Sequence, residues 1–245
     1  MSSATSQLRY QVLPGPEGLL PPSASAMGVV LPQDGEGLVE GVLTAEDLAL
    51  KAAARAMLTR RNPTLFPGPL VVWGWNKHTQ EKASVVLEIA AEIPGVKIIP
   101  MPDYRPIYPK IDPEAVINPC HPNLTIWHNK IEACIFVGVH CHFANVTLKM
   151  VRAGTNCYTI ALCAEAGHED AMVSLPKCGT EKLQKMVKAL RQVKKEGITP
   201  WALTPNGKRE LEAERDQRRK QREAIASAAP DFAHELVAGL DENEE

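Results

Sequence analysis

Apolar runs and amphipathic periods alternate along the middle of the chain. Residues 133–139 are continuously apolar, short and rich in β-branched side chains, the pattern of a strand covered on both faces. Gly138 marks where this run must turn tightly. From Phe143 the apolar period changes: Phe143, Val146, Leu148, Met150 and Val151 mark one side of a helix, with Gly154 as its C-cap. Residues 157–163 read as a second apolar strand. Strand, glycine turn, helix, glycine, strand is a βαβ unit, whose crossover is right-handed almost without exception. Upstream, 70–75 reads as a strand delivered by Pro67-Gly-Pro69. Helix 78–92 follows with Val85, Val86, Ile89 and Ile93 on one side, and after Pro94-Gly95 comes a strand at 96–99. Two consecutive βαβ patterns predict an α/β fold with a doubly wound parallel sheet.

The flanking pattern is different. Residues 1–43 are rich in Pro and Gly, with Leu19-Leu20, Val29-Val30-Leu31 and Val39 interspersed. This reads as an extended N-terminal arm laying apolar side chains on its own domain or on a partner. Thr44 is the expected N-cap of a helix over 45–59, with Leu48, Ala52, Ala56 and Leu58 as its apolar positions. Thr180 is the expected cap of a helix over 181–195, with Leu183, Met186, Val187 and Leu190 inward. Residues 100–130 are dense in proline and low in periodicity, so a long loop is expected there, with Trp127 and His128 on it. Residues 206–229 form a highly charged helix almost without an apolar stripe, and 231–240 a short amphipathic piece. The expected organisation is an arm over 1–43, the α/β domain over 44–197 and a charged helical C-terminal extension over 198–245. Arm and extension together look like assembly devices.

Composition narrows the function classes. With 44% hydrophobic and 23% charged residues over 245 positions, the chain can bury a sizeable core. A net charge of -2 gives no electrostatic reason to expect nucleic acid or an acidic membrane as partner. No stretch approaches the about 18 apolar residues of a membrane span, and the N-terminus lacks the charged and apolar regions of a secretory signal, so a cytoplasmic protein is expected. The six cysteines contain no Cys-x-x-Cys pair. Cys134, Cys157 and Cys163, within apolar strands, read as reduced core residues.

In an open parallel sheet, ligands sit beyond the carboxyl ends of the strands. That places a site on the loops 74–78, 138–145 and 163–168. Gly74, Trp75, Asn76, Gly138, His140, Asn145 and Glu165 are the candidate cofactor-binding residues, because backbone amides entering a helix N-terminus suit a phosphate and a polar side chain after the last strand suits a ribose or ribityl hydroxyl. FAD or another nucleotide is the first candidate ligand; the alternative is that these loops dock a partner chain with no cofactor. Neither the Gly-x-Gly-x-x-Gly nor the P-loop pattern is present. His140-Cys141-His142 invites a metal reading, with Cys120, His121, His128, Cys163 or His168 completing a tetrahedron, and Cys141 near a helix N-terminus invites a nucleophile reading. With no second pair at ligand spacing and no orienting acid or oxyanion hole, no metal ligand and no catalytic residue is assigned. Glu165, His168, Glu169 and Asp170 form a polar cluster that suits either hydroxyl binding or the first turn of a helix.

The run Pro69-Leu-Val-Val-x-Gly74, the later Ala133-Cys-Ile-Phe-Val-Gly-Val139 and Ala144-Asn145 in the following turn resemble the carbon monoxide dehydrogenase β/acetyl-CoA synthase ε subunit family, over roughly 44–193. The resemblance implies a compact parallel-sheet fold related to the nucleotide domains of flavin and thiamine enzymes. It implies a non-catalytic small subunit beside large catalytic oxidoreductase subunits in anaerobic carbon metabolism, near flavin and electron transfer, with ferredoxin as a further partner. Similar proteins accompany multi-subunit 2-oxoacid:ferredoxin oxidoreductases, which makes that complex an alternative host. A reading from a different class is a stand-alone flavin- or metal-dependent enzyme using the Cys/His loop at 140–142.

Overall fold

The computed structural model describes residues 32–72, 74, 76–101 and 121–228 of the 245-residue chain. β1 (Glu36–Val39) and β2 (Val42–Ala45) form an antiparallel hairpin. Its turn residues Glu40 and Gly41 both have positive φ, 52° and 77°, as a two-residue turn between right-twisted strands requires. Then come α1 (Glu46–Thr59), β3 (Thr64–Pro67), α2 (Pro69–Val72), α3 (Lys77–Ala91) and β4 (Lys97–Ile98). α4 (Pro122–His128), β5 (Ala133–Val137), α5 (Cys141–Gly154), β6 (Tyr158–Leu162), β7 (Val173–Leu175) and α6 (Thr180–Lys195) complete the sheet unit.

The seven strands lie in the order β2-β1-β7-β6-β5-β3-β4. β3 to β7 are mutually parallel, and β1 joins β7 antiparallel. Numbered among themselves in chain order, the parallel strands are arranged 2-1-3-4-5, a doubly wound order whose switch point falls between β3 and β5. Alternate strand residues feed two cores, as the period of two dictates. Leu65, Ile135, Ile160 and Val173 pack with the buried faces of α1, α3 and α6. Phe66, Cys134, Phe136 and Ala161 pack with α4 and α5. The Phe66 and Phe136 rings meet at 5.1 Å across the β3–β5 register.

The second βαβ unit and helices α3 and α6 lie where the pattern places them, with Val85, Val86, Ile89, Leu183, Met186, Val187 and Leu190 buried. Elsewhere the structure corrects the sequence reading. The expected strand at 70–75 is not one: Pro69 opens helix α2, and the Val71 and Val72 amides both donate to the Gly68 carbonyl. Proline at a first helical position has φ preset and no amide to lose, which outweighs the strand preference of two valines. The strand lies upstream, at Thr64–Pro67, fully buried, with Pro67 at its last position, where a missing amide does least harm.

The expected long loop contains α4, so Trp127 and His128 are helical. Residues 36–45, expected as extended arm and helix cap, are a sheet hairpin, and Ala45, not Thr44, occupies the N-cap of α1. The cap of α6 is Gly179, not Thr180. α1 buries Ala49, Leu50, Ala53, Ala54 and Met57, while Leu48 points outward; at Ala49 the helix lies close to β1, where a Cβ on Gly37 would come 2.7 Å from the Ala49 Cβ. On α5, Val146 and Met150 are outward and Ala144 and Thr147 inward. The arm before residue 32, the proline-dense stretch after Met101 and the piece at 231–240 lie outside the described residues.

The chain divides into two units, Met1–Trp201 and Ala202–Glu245. In the second, α7 (Pro205–Ala228) carries the expected charge pattern, with Glu214–Arg218 and Arg219–Glu223 paired one turn apart. No helix among the described residues is long and apolar enough to cross a membrane.

Candidate functional site

At the switch point the backbone turns tightly on both sides. β3 ends into Gly68, whose amide donates to the Val137 carbonyl at 2.8 Å, and the Gly138 carbonyl accepts from Leu70 at 3.1 Å. A Cβ on Gly68 would come within 2.3 Å of the Gly138 oxygen, and one on Gly138 within 2.2 Å of Val71 Cγ2. Gly138 also sits at φ +66°, in the left-handed region glycine tolerates best. The crevice floor here is backbone against backbone.

The register pairs Val137 with Leu162, so the two chains leave β5 and β6 side by side. One then enters α5 at Cys141, with His140 as N-cap. The other continues through Cys163 toward His168. This parallel exit brings Cys141 Sγ to 3.7 Å from Cys163 Sγ. Cys163 is held from the β7 side: its amide donates to Leu175, and its carbonyl accepts from Cys178 at 2.7 Å. The Glu165 amide donates to Cys163 Sγ at 3.3 Å. Gly167 at φ +97° turns the loop back, where a Cβ would meet Ser174 Oγ at 2.8 Å, and the His168 amide donates to that hydroxyl. The His168 ring, 3% exposed, places Nδ1 at 2.7 Å from Asn145 Oδ1 in the second turn of α5. Cys141 Sγ, Cys163 Sγ and one ring nitrogen of His168 all lie within 4.8 Å of one another.

The two thiols differ in acidity. Burial pushes Cys163 up, but the hydrogen bonds from His168 and from the Glu165 amide outweigh it and bring the thiol down to about 7. Burial and the neighbouring Cys163 push Cys141 up to about 11. The first proton to leave the pair is therefore the one on Cys163.

Cysteine, histidine and asparagine stand here in the order used by cysteine nucleophiles. Cys163, however, is only 4% exposed, and a sulfur that covered offers no approach to a substrate carbonyl. A second thiol pair, the buried Cys134 and Cys157 with sulfurs 3.6 Å apart, has no such third donor among the described residues and is part of the core.

Of the residues singled out from sequence, Gly138, His140, Asn145 and Glu165 converge on this edge. Glu165 is exposed and Asn145 orients His168. Gly74 and Asn76 make their bonds within the entry to α3: Gly74 accepts from Gln80, and Asn76 forms a reciprocal capping box with Thr79. Trp75 lies outside the described residues. His140 and His142 do not join the Cys141–Cys163–His168 group; their loop contributes its cysteine. Glu169 and Asp170 do not begin a helix. They pair with Lys149 and Arg152 on the outer side of α5.

Cys163 is buried and unbridged, as the sequence reading has it, and only its strand assignment shifts: β6 ends at Leu162, so Cys163 is the first residue past the strand. A cysteine at the carboxyl end of a parallel strand followed five positions later by histidine was the available signal.

The opposite, amino-terminal edge of the sheet carries an open depression of about 550 Å³ lined by Arg61, Trp127, Lys130, Glu132 and Arg152.

Compared with known proteins, the chain matches the family described as CO dehydrogenase beta subunit/acetyl-CoA synthase epsilon subunit over residues 29–193, well over half of its length and every strand of the sheet. No curated protein and no solved structure matches it. With seven strands in a mostly parallel sheet under that match, the chain belongs to the CO dehydrogenase beta subunit/acetyl-CoA synthase epsilon subunit family.

Proposed function

We propose that this protein is a non-catalytic subunit of a multi-subunit oxidoreductase of the CO dehydrogenase/acetyl-CoA synthase type, seated beside large catalytic subunits. The observation that carries this reading is the family match across residues 29–193, which takes in the whole sheet with its switch point. Two features support it. The cysteine best placed for chemistry is buried. Outward apolar side chains also recur on the packed pair α4 and α5: Leu124 and Trp127 on one helix, Val146 and Met150 on the other. Such pairs suit burial against another chain.

The test is anaerobic purification of the tagged full chain from its native host. Co-elution in fixed ratio with large metal-cluster subunits that oxidise CO or assemble acetyl-CoA is the expected result. Co-elution with 2-oxoacid:ferredoxin oxidoreductase subunits would replace the host complex, and a chain that elutes alone under native conditions would overturn the subunit reading.

A second reading is favoured by the switch point between β3 and β5, where doubly wound sheets hold their ligands: FAD or another nucleotide seated against Gly138 and the N-terminus of α5. Equilibrium titration with FAD tests it, and no uptake up to ~1 mM leaves the edge as a docking surface.

A further inference from the structure

We infer that Cys141, Cys163 and His168 form a three-ligand site for a thiolate-preferring divalent cation of the zinc class, with the fourth coordination position open to solvent. The inference is independent of the subunit reading.

Geometry is the first argument. Two thiolates on a tetrahedral zinc, each about 2.3 Å from the metal, stand about 3.8 Å apart, and the two sulfurs are 3.7 Å apart. A disulfide needs about 2.05 Å, so the pair is spaced for a shared ion and not for a bond. A nitrogen donor completes the set within 4.8 Å.

The surroundings are those of ligands already held in place. His168 and Asn145 are joined at 2.7 Å through Nδ1, the kind of outer hydrogen bond that fixes a ligating imidazole's orientation and tautomer. The Glu165 amide donates to Cys163 Sγ, as a group stabilising thiolate charge does. Each donor sits on a pinned piece of chain: Cys141 on the first turn of α5, Cys163 between backbone bonds to β7 and its following loop, and His168 on a loop anchored to Ser174.

Access is provided as well. Cys163 and His168 are buried while Cys141 is half-exposed, so an ion enters, and a fourth ligand binds, from the Cys141 side. Two thiolates and an imidazole form a soft donor set, which selects zinc-class ions over magnesium or calcium. Three protein ligands with one open position is the arrangement of ion sites that exchange a bound water.

The experiment uses the full chain, reduced and stripped with a chelator, then titrated with Zn²⁺ by calorimetry and with Co²⁺ by absorption. One ion per chain, with sulfur-to-cobalt charge transfer and the visible bands of tetrahedral cobalt, is the expected result. Cys141→Ser and His168→Ala weaken binding by at least about 100-fold, and Asn145→Ala by about 10-fold through the lost outer hydrogen bond. His140→Ala and His142→Ala leave the stoichiometry unchanged, as does Cys134→Ala in the second thiol pair. No Zn²⁺ uptake by the reduced wild-type chain up to ~100 µM would overturn the site without recourse to any variant. So would loss of the ion on His140→Ala or His142→Ala with retention on His168→Ala. A mass two hydrogens lower, with a Cys141–Cys163 crosslink in protein kept under reductant, would show a disulfide in its place.

Discussion

Replacing Gly138 with alanine tests the tight turn on which the whole carboxyl edge depends. Two costs add at this position. The backbone sits at φ +66°, where an L side chain is disfavoured by about 1–2 kcal/mol. The new Cβ would also lie 2.2 Å from Val71 Cγ2, 3.1 Å from Val71 Cβ and 3.2 Å from its amide nitrogen. Overpacking of that kind in a filled region costs about 1–3 kcal/mol. Gly138→Ala should therefore destabilise the chain by about 3 kcal/mol. Val71 is 4% exposed, and Val71→Ala alone should cost about 2 kcal/mol, from lost burial and the cavity left behind. In the double variant the worst collision disappears with Cγ2 while the backbone cost stays, so the sum of the single effects should exceed the double by about 1–2 kcal/mol. Urea denaturation followed by circular dichroism reads these values from the midpoint at constant slope. A Gly138→Ala midpoint indistinguishable from wild type, or strictly additive single effects, would refute the claim that Val71 and the left-handed turn together require glycine.

Further expectations concern charge and capping. Burial pushes the Glu46 carboxyl up, and hydrogen bonds from Lys182 and Lys185 more than reverse it, holding it below its usual 4.5. A depressed carboxyl contributes stability above its unfolded value and loses it as pH falls through the folded one. Glu46→Gln should thus cost about 2 kcal/mol at pH 7, with the gap to wild type closing below pH 4.5; a gap that stays constant with pH would sink this account. Lys182, held raised mainly by Glu46 and Asp34 against its burial, acts at the other end, its stabilisation present below its unfolded value and fading only in strong base. Asn76→Ala removes an acceptor 2.9 Å from the Thr79 amide and should lower stability by about 1 kcal/mol, with Asn76→Asp restoring it. Equal stability of all three forms would show that the cap carries no weight.

Long-range periodicity was legible residue by residue. The continuous run 133–139 reports a strand covered on both faces, and the stripes Val85, Val86, Ile89 on α3 and Leu183, Met186, Leu190 on α6 report the covered side of each helix. Both stripes are buried, and the strand is found over 133–137, ending just before the Gly138 turn. The family resemblance was legible in the same stretches. Where local preferences conflict, the chain alone misleads: Val71 and Val72 favour a strand, but Pro69 and the close approach of Gly68 to Gly138 wind them into a helix. Small residues mislead similarly: Ala49 is fully buried while Leu48 is exposed, because only a small side chain fits beneath Gly37.

The candidate site shows the division most clearly. Its chemistry was present in the chain as cysteines and histidines near the expected loops, and the sequence by itself determined that these loops close a parallel sheet. The choice of Cys141, Cys163 and His168 over the adjacent His140 and His142 was made only by the tertiary structure. The β5–β6 register sets residues 137 and 162 level. The glycine turn at 167 swings His168 back onto Asn145. Periodicity records burial along one chain, whereas a ligand set is a relation between chains that run side by side, and that relation is fixed by strand pairing.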